Sequence, residues 1–274
     1  MNLRFWSKDK PLRMLWRVEK DGRASHLVGT AHFFPYSFCR AFTDLMRDVT
    51  TVFFEGPLDE ASSALIGEYG RQGQDVPTFV EALTPEAVTE INHILRDRID
   101  GQNSEAWLWS WVEHKPVYFE SFTQGVRPWA AFFSIWQTYL GWKYSMDMEG
   151  YQVACRLGKN IHFLETLEEQ LAVLDNIPLE RITRQLNDVK NWVVYKNEYV
   201  KNFLDGDLEK MVRLTAYFAT RGQVVIGERD RIFFERMQPH LAHEGVLAFV
   251  GFPHIPGVAQ LFLEDGYSVT QVST

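Results

Sequence analysis

Two short apolar-rich runs within "MLWRVEKDGRASHLVGT" predict a pair of strands around Asp21-Gly22. That dipeptide suits a tight hairpin turn, because both central residues of such a turn take positive φ. A helical pattern from about Ser37 to Arg47 then leads to "TTVFFEG", a compact strand-like run that ends on Glu55. From about Leu83 to Trp142 the pattern is helical and aromatic, interrupted by Gly101, Pro116, Gly125 and Pro128. Within it Trp129, Phe132, Phe133, Trp136, Tyr139 and Leu140 recur at helical spacing and form one broad apolar face, which reads first as packed core.

A helix over about Glu149 to Leu157 precedes "NIHFLET", a further strand ending on Glu165. Thr166 and Glu169 have the spacing of a capping box, so a helix starts immediately after that strand. Helices are expected from about Leu179 to Met237 with a break at Asp205-Gly206, followed by the strand in "GVLAFVGFPH", a helix whose first turn holds Pro256, and a last strand, "YSVTQV". Strands alternating with helices predict an α/β class with helices on both sides of a central sheet. No solenoid repeat or flexible linker divides the chain, so residues 1–274 read as a single domain with a helical insertion at about 83–145.

Composition narrows the function. Hydrophobic residues make up 46% of the 274 positions, enough for a sizeable core. The net charge of −8, with both signs mixed along the chain, argues against nucleic acid as a partner. Two cysteines, Cys39 and Cys155, are too few for a disulfide framework and point to a reducing compartment. The N-terminal stretch has no secretory apolar core, and "RPWAAFFSIWQTYLGWK" is too short and too polar to span a bilayer, so a cytoplasmic location is expected.

Candidate chemistry gathers at strand ends. Gly29-x-x-His32 and Gly251-x-x-His254 each place a histidine after an apolar strand, and two other strands finish on Glu55 and Glu165. In α/β sheets the segments beyond the carboxyl ends of the strands line the ligand crevice, so two imidazoles and two carboxylates can meet at one rim. A glycine three residues before each histidine allows a sharp turn or a close approach of a neighbour. Two imidazoles and a carboxylate suit zinc, manganese or cobalt with an activated water, and a second carboxylate can move its proton. Taken singly, each histidine also reads as a hydrogen-bonded structural residue, and each glutamate as a solvated or helix-capping carboxylate. Arg229 and Arg231 sit two apart on a predicted helix, so only one of them can face the rim, where it could hold a substrate carboxylate or stabilise an oxyanion; without other information either reads first as a surface helix arginine paired with Glu228 or Glu235. His162 reads as packed, whereas His240 and His243 read as solvated or helix-terminus residues; His26, His93 and His114 have no evident partner.

The blocks "LVGTAH", "VFFEG", "LETLEEQLAVLDNIP", "GERDRIFFERM" and "VGFPHIPGVAQLFLEDGY" resemble, in order, those of the TraB/GumN family, which is related to Tiki proteases and pheromone-shutdown proteins. The resemblance runs from about Leu15 to Val272 and implies an erythromycin-esterase/ChaN-like fold and, for the Tiki branch, metal-dependent proteolysis. It carries over His32, His254 and Glu55 as metal or catalytic residues, Glu165 as a further catalytic carboxylate, and Arg229 and Asp147 as site residues toward substrate. The chain departs from the family pattern at Asp230, where Asn is frequent, and at Phe252-Pro253, where small residues are usual. The expectation is a hydrolase of a peptide or amide bond using Mn, Co or Zn. The alternatives are a metal-free esterase or lactone hydrolase with His32 as base, and a non-catalytic haem, iron or peptide binder.

Overall fold

A computed structural model describes residues 10–72, 80–99, 118–119, 123–222, 225–241 and 245–274. His114, His243, Gly101, Pro116 and the first nine residues lie outside that set, as does part of the expected insertion. The strands are β1 (Leu15–Lys20), β2 (Arg23–Thr30), β3 (Thr51–Phe54), β4 (Asn160–Phe163), β5 (Val246–Gly251) and β6 (Ser268–Val272). They form one sheet in the order β4-β3-β5-β2-β1-β6. Asp21 and Gly22 take φ of 52° and 75°, as the hairpin between β1 and β2 requires.

β2, β3, β4 and β5 pair in parallel, whereas β1 and β6 are antiparallel additions at one edge. Four parallel strands must leave the sheet at the same rim, which is the link between fold and site. All six residues of β5 are buried, as expected for a central strand covered on both faces.

Among the described residues the helices are α1 (Cys39–Met46), α2 (Glu60–Arg71), α3 (Pro85–Ile99), α4 (Pro128–Leu140), α5 (Met146–Arg156), α6 (Leu167–Asp175), α7 (Leu179–Asn187), α8 (Trp192–Asp205), α9 (Leu208–Thr215), α10 (Gly227–Leu241) and α11 (Ile255–Glu264). Phe249 of β5 meets Phe42 of α1 and lies against Gly150 of α5. Neighbouring residues of β5 point the other way. On that opposite face Gly29, paired with Val250, approaches Ile255 of α11, and Phe53, paired with Ala248, meets His240 of α10. Helices therefore cover both faces of the sheet, an α/β architecture. Thr166 forms both halves of the capping box expected before α6, and Gly206, at φ 75°, ends α8 where the break was expected. His162 stacks on Phe53, and His240, in the last turn of α10 as one of its two readings has it, joins the same cluster.

A second apolar core holds Phe132, Ile135 and Trp136 of α4 together with Ile91 of α3. Ile182, Leu186, Trp192 and Ala219 belong to it as well, so the helical cap draws on the chain beyond 83–145. The aromatic face of α4 packs in this core, and Phe133, Trp136 and Leu140 also line a cavity between cap and sheet.

Candidate active site

The cavity has a volume of about 280 Å³ and is lined on the sheet side by Thr30, His32, Glu55, Gly251, Phe252 and His254. All four strand-end residues singled out in the sequence meet at this rim. Arg229, from the first turn of α10, ties three of them together. Its Nε donates to Glu165 Oε1 at 2.6 Å, and Nη2 donates to Glu165 Oε2 at 2.7 Å and Glu55 Oε2 at 2.9 Å. Nη1 donates to the Val225 carbonyl at 3.2 Å and to His254 Nε2 at 3.1 Å. A guanidinium has five N–H donors, and all five are engaged by protein acceptors. Arg231 instead faces solvent and pairs with Glu235, so only one of the two arginines turns inward.

Each histidine is aimed by an aspartate. His32 Nδ1 lies 2.9 Å from Asp147 Oδ2, and the other Asp147 oxygen accepts from the Thr30 hydroxyl at 2.6 Å. His254 Nδ1 lies 2.6 Å from Asp230 Oδ1. Because His254 Nε2 accepts from Arg229, its proton resides on Nδ1, directed at Asp230. Asp147 opens α5, whose N-terminus favours a carboxylate. Asp230 stood out in the sequence only as a departure from the family pattern, not as a site residue. It follows Arg229 directly, and adjacent helix positions diverge, so only the fold shows that both turn inward.

The two glycines before the histidines serve close approach. A Cβ on Gly251 would come within 3.0 Å of Glu55 Oε1, and one on Gly29 within 3.1 Å of the Trp16 ring. Neither takes positive φ. The bare Gly251 N–H reaches Glu55 Oε1 at 2.5 Å. Gly257 is more constrained still, since a methyl there would overlap the Asp230 carboxylate. Gly→Ala within a helix normally gains about 1 kcal/mol. Gly257→Ala is expected to lower the melting temperature instead, by driving Asp230 off His254; a rise on thermal denaturation would refute that packing.

The charges separate by environment. Burial alone would raise Glu55, but Arg229, His254, His32 and the Gly251 N–H hold it at about 2. Burial pushes Glu165 up, only partly opposed by its bonds to Arg229. For His32, whose ring opens onto the cavity but is surrounded by protein, desolvation pulls downward, yet the charge and hydrogen bond of Asp147, helped by Glu55, outweigh it and push the ring up to about 8. The His32 side chain is 65% accessible, while those of Glu165 and His254 are 2% and 3% accessible. Of the two rings, His32 is the one that a reactant can touch.

The divalent ion implied by the family resemblance would draw on His32, His254 and Glu55. As arranged, His254 Nε2 and Glu55 are already joined to the Arg229 guanidinium, and His254 Nε2 lies 3.9 Å from Glu55 Oε1. Among the described residues no group of three or more His, Cys, Asp or Glu side chains is placed to hold a metal ion. With Arg229 joined to His254 and Glu55 the arrangement does not fit the ion, and the guanidinium is the cation between them.

Fold and site together define an α/β protein with an acid–base cluster at the carboxyl rim of its parallel strands, under a helical cap. Residues 14–271 match the family model described as the TraB/PrgY/gumN family, and the chain belongs to that family. No curated protein matches the chain. No helix among the described residues is long and apolar enough to cross a membrane.

Proposed function

We propose that this protein is a cytoplasmic hydrolase of small acyl compounds, an ester, lactone or amide with an apolar body, in which His32 is the general base. The observation that supports this reading best is the Thr30–Asp147–His32 chain ending on an accessible imidazole at the mouth of an apolar cavity. With Nδ1–H directed at Asp147, neutral His32 presents a lone pair on Nε2 toward the cavity. That nitrogen takes a proton from water as the water oxygen bonds to the acyl carbon. The imidazolium then returns the proton to the leaving oxygen or nitrogen as the acyl bond breaks. Arg229 keeps Glu55 ionised beside the reacting atoms, and Phe133, Trp136 and Trp142 supply the apolar wall.

A second reading keeps the same hydrolysis but makes it metal-dependent, using His32, His254 and Glu55 with Mn, Co or Zn. It is favoured by the aspartates behind both imidazoles, an arrangement common behind metal-bound histidines, and it requires Arg229 to leave His254 and Glu55. Hydrolysis of p-nitrophenyl esters and anilides of short apolar acids, measured with and without strong chelator, separates the two. Unchanged rates in chelator are expected; loss of activity restored by Mn, Co or Zn would establish the second reading, and no turnover of any member would sink both.

A further inference from the structure

The cavity holds a second guanidinium that nothing at the rim uses. Arg221, in the connection between α9 and α10, lines the same wall as Phe252 and His254. Its guanidinium lies over the Phe252 ring, 4.8 Å from the centroid, and its Nε donates to Thr215 Oγ1 at 3.0 Å. Among the described residues no carboxylate hydrogen-bonds or ion-pairs with it, Glu55 acting on it only at longer range, and its terminal NH₂ groups have no acceptor among those residues. A partly buried arginine with no anion in direct contact is costly to keep, and that cost falls when a ligand supplies one.

We propose that Arg221 anchors an anionic group of the ligand, so that the compounds this cavity takes are apolar acids carrying a carboxylate-type anion away from the scissile bond. The reaction named here rests on the hydrolase reading; the binding does not.

Arg229 cannot serve as this anchor, because its five donors are spent on protein acceptors and the carboxylates of Glu55 and Glu165 flank it. A second anion placed there would meet two like charges. Arg221 is also held in position before any ligand arrives. Arg181 donates to the carbonyls of Ala216, Phe218, Ala219 and Arg221, at 3.3, 2.8, 3.2 and 3.0 Å, and so pins the segment that carries it. With its backbone pinned and its Nε bonded to Thr215, the Arg221 side chain has less freedom left to lose on binding. Burial lowers Arg221 to about 10, which leaves it charged at neutral pH. Trp136 and Phe218 line the same cavity and offer the apolar surface that the body of such an acid would cover.

The test compares 4-phenylbutanoate with its neutral isostere 4-phenylbutanamide, reading quenching of tryptophan fluorescence, since Trp136 and Trp142 line the cavity. The wild-type protein is expected to bind the acid at least about tenfold tighter, as one charge-assisted contact implies. In Arg221→Met that ratio should collapse to near one with the amide affinity retained, and Arg221→Lys should keep part of it. Equal affinities in the wild type, or an undiminished ratio in Arg221→Met, would overturn the proposal. Should Arg221→Met fail to fold by thermal melt, Arg221→Gln takes its place, and the wild-type comparison still decides. Turnover of the mono-p-nitrophenyl ester of octanedioic acid, which keeps a free carboxylate away from the scissile bond, is scored separately. Acid preference without turnover leaves the anchor standing and the hydrolase reading defeated, whereas turnover without acid preference does the reverse.

Discussion

His32→Ala should lower kcat/KM for ester hydrolysis by about 10²–10⁴, the range that general-base catalysis supplies, without a comparable loss of stability. The ring is mostly accessible and packs little, so its removal deletes chemistry rather than core. The wild-type rate should rise with pH along a single limb centred near 8, because the base works only when neutral and the ring is held at about 8. Asp147→Asn should move that limb toward lower pH, since the carboxylate is the main influence raising the ring, while also lowering the plateau through loss of the aimed Nδ1–H. The same shift has a sign for stability. A histidine raised on folding contributes stability fully present below its unfolded value of about 6.5 and lost as pH rises through about 8. Activity and this part of the stability therefore run in opposite directions between those limits. A rate that falls as pH rises through 8, or an Asp147→Asn limb that stays in place, would remove His32 from the role of base.

Much of this rim was legible because strand ends leave marks in sequence. Apolar runs terminating on His32, Glu55, Glu165 and His254 announced four side chains at equivalent places, and parallel pairing of β2 to β5 brings them to one side. The long-range part was not legible. Nothing in local pattern states that Arg229 spends all its donors inside the protein, because hydrogen-bond saturation depends on residues far away in the chain, such as Glu55. Asp230 was hidden by adjacency to Arg229, and Arg221 by lying in a connection with no periodicity. Gly257 carried no turn signal, since its requirement is the space taken by Asp230. The extent of the cap was obscured for a related reason: its core is completed by Ile182 and Trp192, which local pattern assigns only to a later group of helices.

Arg229→Met should destabilise the fold by about 3–5 kcal/mol, the usual cost of removing one partner from a buried ion cluster. Glu165 and Glu55 have side chains only 2% and 10% accessible and would be left facing one another without their shared cation. For a chain of 274 residues that corresponds to a fall in melting temperature of roughly 10 °C. The loss should depend on pH in a defined direction. In the wild type, Glu55 is held at about 2, so its contribution is present above the unfolded value of about 4.3 and fades only as pH falls through about 2. Without the guanidinium both carboxyls rise and one is protonated readily, so the gap between variant and wild type should be widest at neutral pH and narrow toward pH 4. Glu55→Gln added to Arg229→Met should recover part of the loss, because it removes one of two facing charges, and such coupling is expected of residues in direct contact. Arg229→Lys should fall between, keeping the charge but not five directed donors. Equal destabilisation at pH 4 and pH 7, with no recovery in the double variant, would mean that Arg229 stabilises by packing and that the two carboxylates do not depend on it.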